Sequence, residues 1–298
     1  MYEVIIVGGG PAGISAAAMA LNQRVETLIV AEQWGGQTTY EMQLEDKEGR
    51  GSIGGGTLLE AFRRQLDYLD FVRHFDRVNT VMPEDDHFVV VTTDGDRFEG
   101  RTLIIATGAK PRRLDVPGAK RLAGCGLSYS ATTHAGLFLG KDVAVVGSGR
   151  RAQWAAASLA RQAHQVYVLA PEPLLTTPLV DALRRMDNVE ITEGAVIKEV
   201  LGEAFVNGVV TAGPDAEERE IAVKGLFVKL PRTPNSALVK EWIDCDSRGH
   251  IMVDHLCATS WPGVFAAGDV TVVSEQVLVH IGEGAKAAIS AYHYLLMH

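Results

Sequence analysis

Met1-Tyr2-Glu3-Val4-Ile5-Ile6-Val7-Gly8-Gly9-Gly10-Pro11-Ala12-Gly13 opens the chain and decides how the rest of it is read. Val4 to Val7 read as a strand buried on both faces, and Ile14 to Leu21 as an alanine-rich helix. Between them Gly8, Gly10 and Gly13 satisfy G-x-G-x-x-G. The first allows a tight turn, the second lets backbone approach a pyrophosphate, and the third lets helix pack on strand. The helix N-terminus then faces the phosphates. Val25 to Val30 form a second apolar strand, and Glu32 follows about twenty positions after Gly13, where an acid reaches an adenosine ribose. A purely structural glycine turn is the plainer alternative; the agreement of strand, helix and acid weighs against it.

At 298 residues the chain has room for two domains, each with its own core. Hydrophobic residues at 47% and aromatics at 7% describe a globular protein, and no apolar run approaches the length that spans a bilayer. Met1 leads directly into a strand, without a charged n-region or cleavage site, so a cytoplasmic protein is expected. A formal charge of -9 sets most of the surface against a polyanion and argues against nonspecific nucleic-acid binding. Cys125, Cys245 and Cys257 show no C-x-x-C spacing, which argues against a disulfide scaffold and against the usual zinc sites.

Further along, Trp34-Gly35-Gly36-Gln37 precedes a glycine-rich loop at 49–56 and an amphipathic helix at about 57–69. Phe88 to Thr93, the Asp94-Gly95 turn and Phe98 read as a hairpin, and Leu103 begins an apolar strand that ends in Thr107-Gly108 and Pro111. Then the opening unit repeats. Val143 to Val146 is a strand, Gly147-Ser148-Gly149 a glycine turn, Ala152 to Ala160 a helix, and Val166 to Leu169 another strand. Short strands between Val189 and Leu230 follow, Ile251 to Asp254 reads as a strand, and Val264 to Asp269 as a buried strand ending in an acid. A helix from about Gly284 to Leu296 closes the chain. The expected class is α/β, with two Rossmann-like nucleotide-binding domains, the second inserted in the first: residues 1–112 with 246–298, and 113–245.

Gly8 to Gly13, Gly35-Gly36-Gln37, Ala106-Thr107-Gly108, Pro234-Asn235 and Thr259 to Asp269 stand in one order. Together they resemble the low-molecular-weight thioredoxin reductases over nearly the whole chain. The resemblance implies FAD along the first domain, with Gly268-Asp269 at the ribityl chain, Gln37 and Gln276 near the flavin ring, and a homodimer.

Two of the chain's departures from that family bear on its electron relay and its nicotinamide cofactor. Where the family has Cys-Ala-Thr-Cys-Asp, this chain has Ser130-Ala131-Thr132-Thr133-His134, and neither Ser nor Thr exchanges a disulfide. After the second glycine turn the family's His-Arg-Arg is replaced by Ala170-Pro171-Glu172, which leaves no basic clamp for the 2′-phosphate of NADPH. A small branch, the diflavin-linked disulfide oxidoreductases, shares both losses, and similarity to it implies a second FAD in the second domain. Arg150 and Arg151 beside Gly149 would meet its pyrophosphate, or form a solvated basic pair.

Cys125 and Cys245 lie near the points where the chain enters and leaves the second domain, so they are candidates for a redox pair; small inert thiols are the default. His134 stands where the family has an acidic proton donor, and an unperturbed imidazole suits that task near neutrality; a satisfied histidine with no chemistry is the plainer reading. Lys110, Arg112 and Arg113 form a basic cluster that would meet an acidic partner such as a ferredoxin, or simply a solvated loop. The leading expectation is a FAD-dependent oxidoreductase acting on a thiol, a disulfide or a small redox protein without NADPH. The alternatives are an NADH- or ferredoxin-dependent flavin reductase or oxidase, and a flavin-binding redox sensor that is not an enzyme.

Overall fold

The computed structural model describes residues 1–36, 42, 60, 64, 66, 72–272 and 276–298. Gln37, the loop at 49–56 and most of the helix expected at 57–69 lie outside them. The chain divides into two compact units. One comprises the described parts of 1–39 and 54–110 together with 233–298; the other comprises 111–232 with the described part of 40–53.

The first unit is built on β1 (Tyr2–Val7), β2 (Thr27–Val30), β3 (Arg73–His74), β4 (Val78–Glu84), β5 (His87–Thr92) and β6 (Arg97–Ile105). They join in the order β3-β2-β1-β6-β5-β4, and β17 (Val264–Ala266) adds to β6. β1, β2, β3, β6 and β17 run parallel, while β4 and β5 form antiparallel pairs at one side. Because side chains alternate along a strand, Val4 and Ile6 enter one core with Ile14, Ala17 and Ala287. Ile5 and Val7 enter the other with Leu28, Leu103 and Val264. A continuous apolar run is what burial on both faces demands.

Two helices cover the first of these cores: α1 (Pro11–Asn22) and a long C-terminal helix at Val277–Met297. The C-terminal helix begins seven residues earlier than the Gly284 start expected from sequence, because the glycine pair around Glu283 sits inside it rather than at its end. Gly284 lets it press on α1: a Cβ there would lie 2.0 Å from the Ala12 carbonyl oxygen. Ile251 makes isolated bridges to Cys245 and Thr271 in place of the strand expected at 251–254. The chain returns to the first unit at Thr233 rather than at 246, because Val239 and Ile243 already pack in its core.

The second unit has a five-stranded parallel sheet in the order β11-β10-β9-β15-β8. Its strands are β8 (Leu127–Ser128), β9 (Val143–Val146), β10 (Val166–Ala170), β11 (Val189–Glu193) and β15 (Gly225–Val228). An antiparallel sheet of β12 (Val196–Leu201), β13 (Gly208–Ala212) and β14 (Glu218–Ala222) accompanies it. The helices of this unit are α2 (Ala131–His134), α3 (Arg150–Ala160) and α4 (Pro178–Leu183), so the C-terminal helix is α5. β7 (Ala109–Pro111) pairs with β16 (Arg232–Pro234) where the chain passes between the units. The α/β class with Rossmann-like sheets is therefore as the sequence led us to expect.

Candidate functional site

In the first unit the glycines of the opening stretch have separate tasks. Gly8 takes φ +117°, and a Cβ there would sit 2.3 Å from the Ala106 carbonyl oxygen. At Gly13 a Cβ would lie 1.8 Å from the Gly8 carbonyl oxygen, so this residue brings helix onto strand. Gly10 is the N-cap of α1, carries no side-chain cap, and would meet nothing within 4 Å if given a Cβ. Among the described residues no side chain caps the leading N–H groups of α1, which leaves them for an anion.

Other predicted residues gather at this turn. The Gly35 N–H donates to the Gly9 carbonyl at 2.8 Å, and a Cβ at Gly36 would come 3.3 Å from Gly10 Cα. Glu32 follows β2 with its side chain exposed, 3.6 Å from Arg77. Thr107 Oγ1 donates to the Asn235 carbonyl at 2.8 Å, Asn235 Nδ2 donates to the Thr107 carbonyl at 2.9 Å, and the Asn235 N–H donates to Gly108 at 2.9 Å. These bonds lock the Ala106-Thr107-Gly108 motif to Pro234-Asn235. Gly268, at φ +83°, would place a Cβ 3.2 Å from that of Ala12, so Asp269 emerges beside the start of α1. Gln276 is the half-buried N-cap residue of α5.

Parallel strands β1, β2, β6 and β17 thus deliver their C-terminal ends to one place, where open α/β sheets hold their ligands. The residues fit FAD: the open Gly10 face and the uncapped α1 N-terminus would hold the pyrophosphate, Glu32 the adenosine ribose, and Asp269 the ribityl hydroxyls. FAD supplies hydride and electron transfer when bound.

Sequence reasoning missed Glu283. It is 7% exposed on α5, and its Oε2 accepts the Gly268 N–H at 2.9 Å. Burial raises its carboxyl above the usual range, partly countered by that hydrogen bond. The available signal was an acid between two glycines, Gly282-Glu283-Gly284, inside an apolar helix.

In the second unit Gly147 takes φ +144° at the end of β9, and Gly149 is the open N-cap of α3. Arg151 Nη1 donates to the Leu230 carbonyl at 3.0 Å, whereas Arg150 is exposed. Ser148, which sequence reasoning also missed, accepts the Glu172 N–H at 2.9 Å and donates to the Glu172 carbonyl at 2.8 Å. The acid after β10 is thereby fixed against the glycine turn.

The Ser130–His134 segment forms a closed polar cluster. Ser130 Oγ donates to Thr133 Oγ1 at 2.9 Å and caps α2 by accepting the Thr133 N–H. His134 is buried, with Nδ1 2.8 Å from Ser128 Oγ. Its pKa is pushed down to about 4, first by burial and then by the charge of Lys229, whose Nζ donates to the Tyr129 carbonyl at 2.6 Å. A shift of this direction leaves His134 a neutral imidazole at pH 7, in keeping with the reading of a buried, satisfied histidine.

All three cysteines are free thiols. Cys125 belongs to the second unit, where its N–H donates to Leu122 and its carbonyl accepts Val206. Cys245 is half-buried in the first unit, 3.6 Å from the Ile243 carbonyl, and burial raises its thiol pKa, with Asp246 and Asp244 adding to the rise. Cys257 is buried, and desolvation pushes its thiol up to about 11. Raised pKa values leave Cys245 and Cys257 as thiols, the unreactive form.

Among the described residues no helix is long and apolar enough to cross a membrane, and no cluster of His, Cys, Asp or Glu could hold a metal.

The family model described as pyridine nucleotide-disulphide oxidoreductase matches residues 2–289. The chain is 34% identical over 300 residues to an NADH dehydrogenase of Bacillus subtilis, covering 99% of this chain and 59% of that protein. It is 34% identical over 307 residues to the F component of alkyl hydroperoxide reductase from Pseudomonas putida, covering 99% of this chain and 58% of that one. It therefore spans about three-fifths of the length of these curated relatives. Among solved structures, thioredoxin reductase from Streptococcus pyogenes is similar at TM-score 0.88 and 31% identity, with 100% of this chain and 99% of that chain covered. Thioredoxin reductase from Giardia duodenalis is similar at TM-score 0.90 and 28% identity, with 99% of each covered. The chain belongs to the pyridine nucleotide-disulphide oxidoreductase family and has a thioredoxin reductase-like fold.

Proposed function

We propose that this protein uses FAD in its first unit to exchange electrons with a thiol or disulfide, and that it does so without NADPH. The observation that carries the reading is the clamped Glu172. Its backbone is tied on both sides to Ser148 of the second glycine turn, which sets an acid where a dinucleotide presents its adenosine ribose. An acid there accepts hydrogen bonds from a free 2′-hydroxyl and repels a 2′-phosphate. The second unit therefore takes an adenine dinucleotide without that phosphate, and a second FAD is the occupant we favour. Arg150 is available to its pyrophosphate, since Arg151 is engaged by Leu230.

The Ser130–Thr133 pair removes the internal dithiol relay, and Cys245 is held as a thiol, so the disulfide exchanged belongs to a partner, either a small redox protein or a low-molecular-weight thiol. We further propose a homodimer in the cytoplasm. A second reading, NADH as electron donor, draws on the same Glu172, which would suit the diol of NADH equally well, and on the relative called NADH dehydrogenase.

Counting FAD released on denaturation separates the two. Two FAD per chain, falling to one in R150A, is the expected result. One FAD per chain in the wild type, bleached anaerobically by NADH, would favour the second reading instead.

A further inference from the structure

Glu283 has a burial that the fold alone does not require. Its Oε1 is buried with no hydrogen-bond partner among the described residues, while Oε2 accepts the Gly268 N–H at 2.9 Å. A buried carboxylate with an unsatisfied oxygen is costly, and an apolar residue of the same size would fill the space more cheaply. His280 is the matching residue one helical turn earlier on α5, also 7% exposed, with Nε2 3.4 Å from Asp269 Oδ1. The same helix face thus holds two adjacent residues, taking the N–H of Gly268 and the carboxylate of Asp269.

The face is itself anchored. Gly284 lies against the Ala12 carbonyl, and Ser15 Oγ donates to the Ile281 carbonyl at 2.7 Å, so α5 is seated on the first turns of α1. The Gly268 backbone takes φ +83°, and its carbonyl accepts the Thr271 N–H and Oγ1 at 2.9 Å each, so the Glu283 carboxylate holds the other, N–H side of the same turn. The charged groups around Glu283 are Asp269, His280 and Lys286, and Cys257 donates to the Glu283 carbonyl at 3.7 Å.

We propose that Glu283 is a positioning residue for the flavin site, forming with His280 a two-point clamp that fixes the Gly268–Asp269 turn relative to the α1 N-terminus. The clamp rests on the reading that FAD occupies the first unit. It acts through Gly268 and Asp269 and has no contact with the reacting atoms.

The clamp separates affinity from stability in one variant. E283L removes a buried, half-satisfied carboxylate but leaves the Gly268 N–H without its acceptor, so the two effects oppose and the apoprotein should still unfold cooperatively within a few degrees of the wild type. FAD affinity, read by quenching of flavin fluorescence as apoprotein is titrated, should fall at least about tenfold. E283Q retains an amide oxygen for the Gly268 N–H and should restore most of that affinity. H280L should also weaken FAD, and the E283L/H280L double variant should lose no more than the weaker-binding single variant, as coupled residues do. E283L apoprotein that melts cooperatively and binds FAD as tightly as the wild type would overturn the clamp. If E283L does not fold, H280L apoprotein that melts cooperatively and binds FAD as tightly as the wild type would overturn it instead. Wild-type apoprotein that takes up no FAD at all would sink the flavin reading itself, a distinct result.

Discussion

At pH 7 the His134 imidazole is neutral, because burial and the nearby Lys229 charge hold its pKa at about 4. The unfolded chain, with an ordinary histidine, binds a proton at higher pH than the folded one. Between the unfolded value and about 4 the unfolded state is thus the more protonated, and stability falls as pH falls. The stabilisation is complete above the unfolded value and is lost through the window down to the folded value. By pH 5 the loss from this residue alone should be about 2 kcal/mol. Urea unfolding at pH 7 and pH 5, in wild type and in H134Q, checks this: the difference between the two pH values should shrink by about that amount in H134Q. An unchanged difference would mean that His134 titrates normally. Position 134 was readable from the sequence as a substitution for the family's acid, but its neutrality was not. Neutrality comes first from enclosure that spacing does not express, and then from Lys229, nearly a hundred positions away.

The hydroxyl pair at the start of α2 keeps the frame of a dithiol. Ser130 Oγ and Thr133 Oγ1 are 2.9 Å apart in a capped turn, so two sulfur atoms at these positions should fall within bonding reach. In S130C/T133C, mild oxidation should close a disulfide, and thiol titration after denaturation should then find three free thiols, those of Cys125, Cys245 and Cys257. Five free thiols would show that the turn has lost the geometry. At this scale the sequence was informative wherever a pattern is local. β1 through α1, the β5–β6 hairpin and α3 follow directly from an apolar run, a glycine turn or an alanine-rich stretch. It misled where long-range packing decides. The start of α5 was hidden because Gly282 and Gly284 resemble a helix end, although they lie inside the helix, and the buried His280 and Glu283 beside them are directed at the Gly268–Asp269 turn. Val239 and Ile243 were assigned to the wrong unit because nothing in a short apolar segment says which sheet it will cover.

Across the whole molecule the same glycine-turn device occurs twice, once in each unit, and the two copies have kept different partners. In the first, Gly10, Glu32 and Asp269 offer the groups that a FAD site uses. The second retains Gly147, Gly149 and a clamped Glu172 but has no cluster of basic residues after β10. On the proposed reading the two departures belong together: a chain that does not relay reducing equivalents from NADPH to its own cysteines would need neither a 2′-phosphate clamp nor a dithiol. The most direct measurement is an anaerobic titration of the purified holoprotein with NADPH, following the flavin absorbance. The expected result is a flavin that stays oxidised, or bleaches only slowly at high NADPH. Rapid, stoichiometric bleaching at low NADPH would contradict the account.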